Sequence, residues 1–389
     1  YKYNMKILIL GADGYLGWPT SIRLASLGHK VFMIDNFSKR KIENENEITP
    51  LISQLPIQKK VSIWNKNSYS KHKLHFEYGD MLNHRFLYNL CGKIKPDAII
   101  HYAEQPSAPY SMIGREQAVF TQQNNIIGSL NLLFAMKKNC PNAHLLKLGT
   151  MGEYGTPNID IEEGYLKIKH KNRIDYLPYP KSPPSIYHLS KCHDSANLIY
   201  LTNLWKLRST DLNQGVVYGL NTNETIKRNE FATSFHYDHI FGTILNRFFT
   251  LAALEKPLLL YGSGNQKRSF LNINDTLQCI LLALKNPPKK GHCEIRNQYT
   301  EIFSLKELAQ KVVKAAKELD INLKVKNIKN PRVEKDSHYF NPTNKSFKKI
   351  GLKPEKLSQE FIKNSINFVR KNISKINKSI ISPSVKWRG

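Results

Sequence analysis

A doubly wound α/β fold, a parallel sheet with helices on both faces, is the class this sequence predicts, and three observations predict it. Short apolar runs such as Lys6 to Leu10 and Val31 to Ile34 have the length and composition of parallel strands buried on both faces. Stretches with helical spacing follow them, so strands and helices alternate along the first half of the chain. The first strand runs into Gly11-Ala12-Asp13-Gly14-Tyr15-Leu16-Gly17, three spaced glycines at a strand-to-helix turn. The first glycine allows the tight turn, the second lets backbone approach a pyrophosphate, and the third lets the helix pack against the strand.

Composition bounds the rest. A chain of 389 residues can bury a full core and has room for a large domain and a subdomain. We expect 1–218 to form the Rossmann-type domain, 219–370 a smaller substrate subdomain with segments returning to the main domain, and 371–389 a basic C-terminal arm. No apolar run reaches the roughly 18 residues of a membrane span. Tyr1 to Met5 lead straight into the first strand, and no targeting peptide is expected in this chain. Five cysteines, widely spaced and without a C-x-x-C, point to a reducing compartment and to no thiolate metal site. The formal net charge of +27 invites a nucleic-acid partner. Yet the lysines are scattered and no long basic run stands out, so an anionic small substrate suits the charge as well. A non-catalytic Rossmann protein that binds RNA is the rival that charge alone suggests.

The strand Val31 to Ile34 ends in Asp35, where a carboxylate can accept both hydroxyls of a ribose and repel a 2′-phosphate. The cofactor expected is NAD, with Lys39 and Arg40 the two nearby cations that could favour NADP. Residues 41 to 74 are polar and read as an insertion over the ligand. His75 to Tyr78 reads as a third strand ending in Gly79-Asp80, then a helix Asn83 to Ile94 and a strand Asp97 to His101. The loop Ala103 to Ser111 falls at that strand's carboxyl end, where parallel sheets bind ligands. A long helix, Glu116 to Lys138, contains Asn124, and a strand Ala143 to Leu148 ends at Thr150.

Ile186 to Asp194 reads I-Y-H-L-S-K-C-H-D, with prolines just upstream and a helical apolar pattern after it. Tyr187 and Lys191 therefore share one helix face, and the ammonium would lower the phenol's pKa towards neutrality. The same spacing occurs at Tyr69/Lys73 and Tyr165/Lys169, which read as polar loops. Thr150 is placed to bond the substrate oxygen that Tyr187 deprotonates.

Glycine turn, Asp35, Thr150 and Tyr187-x-x-x-Lys191 in this order resemble the extended short-chain dehydrogenase/reductase superfamily, in its NAD-dependent epimerase/dehydratase branch. Longer strings narrow the match: Gly149 to Tyr165, Leu177 to Lys181, Tyr187 to Asp194, Asp211 to Gly219 and Pro383 to Trp387 resemble the UDP-sulfoquinovose synthase family. That resemblance implies a plastid (chloroplast stroma) enzyme of sulfolipid biosynthesis that uses UDP-glucose and sulfite with bound NAD. It also implies a homodimer, a possible sulfite-delivering partner, and a grouping with hydrolases. Catalytic roles are implied for Thr150, Met151, Glu153, Tyr187, His188 and Lys191. Cofactor contacts are implied for Gly11, Asp13, Gly14, Tyr15, Leu16, Gly17, Asp35, Asn36, Arg40, Asp80, Met81, Asn124, Tyr187, Lys191 and Val217. Substrate contacts are implied for Gln105, Thr150, Asn213, Gln214, Thr243, Gln266, Arg268 and Arg332. No metal is implied.

Two departures matter. Dehydratases resembling this branch carry Thr-Asp-Glu, whereas Met151 and Gly152 follow Thr150 here and the acid, Glu153, is displaced by one. A 4-epimerase or 4,6-dehydratase is the alternative within the fold. The loop that resembles Glu-Gln-Arg-Ser-Ala-Pro-Tyr-Ser has Pro106 where the arginine would stand. We expect His188 or a nearby lysine to supply the missing cation.

Overall fold

The computed structural model describes residues 4–67 and 72–387. The strands in chain order are β1 (Lys6–Leu10), β2 (Lys30–Asp35), β3 (Leu74–Tyr78), β4 (Ala98–His101), β5 (His144–Thr150), β6 (Tyr165–His170) and β7 (Arg173–Pro178). After them come β8 (Arg208–Gln214), β9 (Val216–Tyr218), β10 (Leu258–Tyr261), β11 (Lys267–Asn272), β12 (His292–Gln298), β13 (Glu301–Ser304) and β14 (Val325–Ile328). Seven of them form a parallel sheet in the order β12-β8-β5-β4-β1-β2-β3. The order reverses beside β1, which opens a crevice at the carboxyl ends of β1 and β4.

Local chemistry explains why β1 sits at the centre. Ile7, Leu8, Ile9 and Leu10 are all buried, Ile7 and Ile9 in one core and Leu8 and Leu10 in the other, so both faces of the strand are covered. Gly11 follows at φ +84°, and a Cβ there would lie 2.7 Å from the backbone of Tyr102 and Ala103. A Cβ on Gly17 would lie 2.1 Å from the Gly11 carbonyl oxygen, so helix Gly17–Ser26 can start against the turn only because that residue is glycine.

Several elements differ from expectation. Residues 41 to 74 are no insertion: helices Ser38–Glu45 and Ile57–Lys66 form the crossover from β2 to β3. Ile57, Val61 and the fully buried Trp64 belong to the same core cluster as Trp18 and Phe231. The polar surface of the segment hid this one apolar face. The long helix is broken into Arg115–Gln122, a π-helical turn Gln123–Ile127 and Gly128–Asn139, and the π turn carries Asn124. Tyr165 and Lys169 lie in β6 of an exposed hairpin rather than in a loop, and Tyr69 lies outside the described residues.

Beyond Tyr218 a second core gathers Phe235, Tyr237, Phe248, Leu260, Val312 and Ile366. Helix Ile273–Lys285 and β12 return to the central sheet. In the last segment Ile380 and Ile381 are buried, and the Trp387 backbone N–H donates to the Pro331 carbonyl at 3.1 Å.

Candidate active site

The crevice is a cavity of about 1010 Å³, at the upper end of the range for small-molecule sites. Its wall includes Gly11, Asp13, Gly14, Tyr15, Leu16, Gly17, Asp35, Asn36, Arg40, Met81, Asn124 and Val217. A Cβ on Gly14 would meet only the Gly11 carbonyl oxygen, at 3.4 Å, so this glycine leaves open space over the turn. Asp80 stands one layer back, where its carboxylate accepts from the Asn36 amide at 3.1 Å.

Asp35 ends β2, and its carboxylate accepts backbone N–H groups of Asp13 at 2.9 Å and Phe37 at 2.7 Å. Both nearby cations are engaged elsewhere. The Arg40 guanidinium grips Asp13 and the carbonyls of Gln54 and Leu55, and Lys39 is held by Glu43 and by His236. A dinucleotide with ribose hydroxyls on Asp35 therefore fits this wall, and one with a 2′-phosphate does not. Burial pushes the Asp35 carboxyl up to about 6, against the two backbone N–H bonds. Above that pH the carboxylate repels a 2′-phosphate; below it the acid is protonated and the repulsion goes. Calorimetric titration should show preference for NAD over NADP falling between about pH 8 and about pH 5, and falling less steeply in Asp35→Asn, where only the 2′-phosphate itself, with its second pKa of about 6, still titrates. A flat ratio in the parent would mean that this carboxylate does not face the ribose.

The reacting groups converge from two elements. Thr150 ends β5 and caps the turn Met151–Tyr154, its hydroxyl accepting the Gly152 N–H at 3.1 Å. Helix Ile186–Trp205, capped by the Ser185 hydroxyl, presents Tyr187 and His188 to the cavity. The Tyr187 phenol and Thr150 both line the cavity, and Thr150 acts on the phenol in the sense that favours its charged form. Lys191 lies beneath the wall, its Nζ 2.5 Å from the Leu148 carbonyl and 2.5 Å from Glu104 Oε2. The expected lowering of the Tyr187 pKa is not found. Burial first, then the carboxylates of Glu104 and Glu153, hold the phenol well above the ordinary tyrosine range, and Lys147 and Thr150 offset only part of this.

Four of the residues singled out from the sequence face away from the cavity. Glu153 is fully buried; it accepts the Thr150 N–H at 3.2 Å and is held by Ser195 and Lys181, so it fixes Thr150 and cannot act as an acid on a ligand. The Gln105 amide bonds Ser107 and Thr121. Asn213 donates to the Tyr154 phenol at 2.7 Å, and Gln266 donates to the Tyr261 carbonyl at 3.1 Å. Met151, Gln214, Thr243, Arg268 and Arg332 do line the cavity. Arg268 is paired with Glu334, and the Arg332 guanidinium lies 5.4 Å over the Trp387 ring. His188 is not the cation expected to replace an arginine at Pro106. Burial, then Arg332, Arg268 and Lys191, push its imidazole down to about 3, so it is neutral near pH 7. Pro106 does line the cavity.

Sequence reasoning missed the buried lattice behind Thr150. Lys147 Nζ lies 3.1 Å from Asp194 and 3.4 Å from Asp211, and the Ser195 hydroxyl bonds Asp211 at 2.6 Å and Glu153 at 3.1 Å. Its signal was a lysine in the middle of the apolar run His144–Thr150. Among the described residues no cluster of His, Cys, Asp or Glu could hold a metal ion, and no helix is long and apolar enough to cross a membrane.

Comparison with known proteins extends this geometry. A model of the NAD dependent epimerase/dehydratase family matches residues 7–297. The chain is 44% identical to the chloroplastic UDP-sulfoquinovose synthase of Spinacia oleracea, over 98% of this chain and 79% of that protein. It is 40% identical to UDP-sulfoquinovose synthase of Sulfolobus acidocaldarius, over 99% of this chain and 98% of that one. In fold it resembles a UDP-glucose 4-epimerase from Thermotoga maritima, at a TM-score of 0.67 and 18% identity over 95% of this chain and 100% of that one. None of these is a hydrolase, and that expected grouping is withdrawn. A cavity built for NAD, a Thr-Tyr-Lys constellation at its wall and near-full-length identity to two such synthases make the conclusion plain: the chain belongs to the NAD-dependent epimerase/dehydratase family, among the UDP-sulfoquinovose synthases.

Proposed function

We propose that this protein converts UDP-glucose and sulfite into UDP-sulfoquinovose. The observation that carries the reading is that Thr150 and Tyr187 line the same cavity as the glycine turn and Asp35, in a chain of this family. NAD is held by the glycine turn, Asp35 and Asn124, and when bound it supplies the two-electron oxidation of the sugar at C4 and the later reduction. Tyr187, once its own phenol proton has passed to solvent in the loaded site, takes the proton of the C4 hydroxyl, and Thr150 holds the same oxygen. The 4-ketone acidifies C5, whose proton leaves together with the C6 oxygen to give a 4-keto-5-ene. His188 lies with its ring centroid 4.9 Å from that of Tyr187, but its depressed pKa makes it a weak acceptor for the C5 proton. Sulfite adds at C6, a proton returns to C5, and Tyr187 restores the C4 hydroxyl. Met151, apolar at the position where dehydratases carry an acid, and the buried Glu153 leave the C6 oxygen to depart as water without help from either residue.

Arg247, Arg268 and Arg332 line the cavity and suit the diphosphate. With Pro106 uncharged and His188 neutral, the sulfite anion is left to the lysines of the wall; Lys267 and Lys335 have no carboxylate within ion-pair distance among the described residues. Protein mixed with UDP-glucose and sulfite should yield a sulfonated nucleotide sugar by mass spectrometry, and Pro106→Arg should bring no gain. A large gain in sulfite use, with unchanged UDP-glucose binding, would show that the parent lacks an anion site.

Val119, Ile127 and Phe134 on one helical segment and Tyr200 and Leu204 on helix Ile186–Trp205 are exposed. This apolar face supports a homodimer, whose mass light scattering would read. A plastid setting rests on the spinach relative.

A further inference from the structure

Glu104 follows β4 and lines the cavity, yet its side chain is only 3% exposed. A carboxylate so deep in the wall needs a counter-charge. Lys191 provides it at 2.5 Å. Of the two other basic groups that act near it, Lys147 is engaged by Asp194 and Asp211, and His101, at 3.7 Å, is neutral near pH 7, because burial pushes its imidazole down to about 3. Neither oxygen of Glu104 receives a hydrogen bond of good geometry. The pair is therefore held by charge, with the Leu148 carbonyl anchoring the ammonium from the other side.

We propose that Glu104 is a positioning residue that fixes Lys191 under the wall and sets the pH at which Tyr187 exchanges its proton. This rests on the role given above to Tyr187 as the proton-transfer group. The charged groups that act on Tyr187 are Glu104 from the loop after β4, Lys147 from β5 and Glu153 from the turn after it; His188 packs its ring against the phenol, and Lys191, one turn along the same helix, is paired with Glu104. An ammonium alone beside a phenol would favour phenolate. An ammonium with a carboxylate 2.5 Å away presents a dipole instead, and its pull on Tyr187 is largely cancelled. The carboxylate itself acts on the phenol in the opposite sense, towards keeping its proton. Glu104 thus keeps Tyr187 protonated in the empty site and holds Lys191 ready for the bound state.

Glu104→Gln keeps the shape and removes the charge. With UDP-glucose added to the NAD-loaded protein, the rate of NAD reduction against pH has an acid limb where Tyr187 must lose its proton. In Glu104→Gln that limb should move down by about one pH unit, so that below the limb the variant runs about tenfold faster relative to its own plateau. Glu104→Asp keeps the charge but draws it back from Lys191, and its limb should lie between those of the parent and the Gln variant. A limb in Glu104→Gln that stays in place or rises, with rates lowered equally at every pH, would reduce Glu104 to packing and overturn the proposal. If the Gln variant does not fold, a limb in Glu104→Asp at or above that of the parent overturns it. Failure of the functional reading looks different: the parent would then reduce no NAD with UDP-glucose at any pH.

Discussion

Tyr187→Phe should lower turnover by about 10²- to 10⁴-fold, the scale for removing a general acid or base, and leave NAD binding unchanged. The phenol lines the cavity together with Thr150, while the residues expected to hold the dinucleotide lie on the glycine turn and at Asp35. Its ring is packed against His188 and keeps that packing as Phe, so the melting temperature should stay close to the parent's. The loss should fall on kcat rather than on KM, because the proton transfer occurs on the way to the transition state. Tyr165→Phe is the control. Tyr165 shares the Tyr-x-x-x-Lys spacing but sits in the hairpin of β6 and β7, where its change should be nearly silent. Equal losses in the two variants, measured as NAD reduction on mixing with UDP-glucose, would mean that Tyr187 is not the proton-transfer group.

How much of this was legible in the sequence depends on whether the information was local. The glycine turn, Asp35, Thr150 and Tyr187 are each set by a strand end or a helix start, and patterns of a few residues predict those. Lys191 was placed correctly on its helix but with the wrong partner. Its ion pair with Glu104 joins a helix to a loop distant in sequence, and no periodicity reports such a contact. Gln105, Asn213 and Gln266 failed for a related reason: polar residues at strand ends look alike whether they face a ligand or tie the frame together. The segment 41 to 74 was misread because its polar surface outweighed Ile57, Val61 and Trp64, spaced one helical turn apart. Arg40 and Lys39 could be discounted as NADP ligands only when Asp13 and Glu43 were seen to hold them.

Lys147→Met should cost about 3–5 kcal/mol of stability in denaturant titration, the range for breaking a buried ion pair by removing one partner. Lys147 is 1% exposed between Asp194 and Asp211, both fully buried, so its loss removes the ammonium paired with both carboxylates and leaves only the more distant Lys181 and Lys191 to act on them. The sign of the pH dependence follows from that. In the parent, burial already pushes Asp194 up to about 6, while Lys147 and Lys181, aided by Ser195, hold Asp211 below its usual value. Without the lysine both carboxylates rise, so the folded variant binds protons that the unfolded chain does not, and its stability falls as pH increases. The deficit should be largest above about pH 6 and shrink towards about pH 4, where the acids can be protonated. Activity should fall with stability. Ser195 links Asp211 to Glu153, and Glu153 fixes the Thr150 backbone, so the lattice reaches the active site through one hydroxyl. Adding Asp194→Asn to Lys147→Met removes one unpaired charge and should recover part of the stability, most of it at neutral pH. A Lys147→Met deficit that is small, or the same at every pH, would show that water or rearrangement neutralises these acids and that the lattice does not hold Thr150 in place.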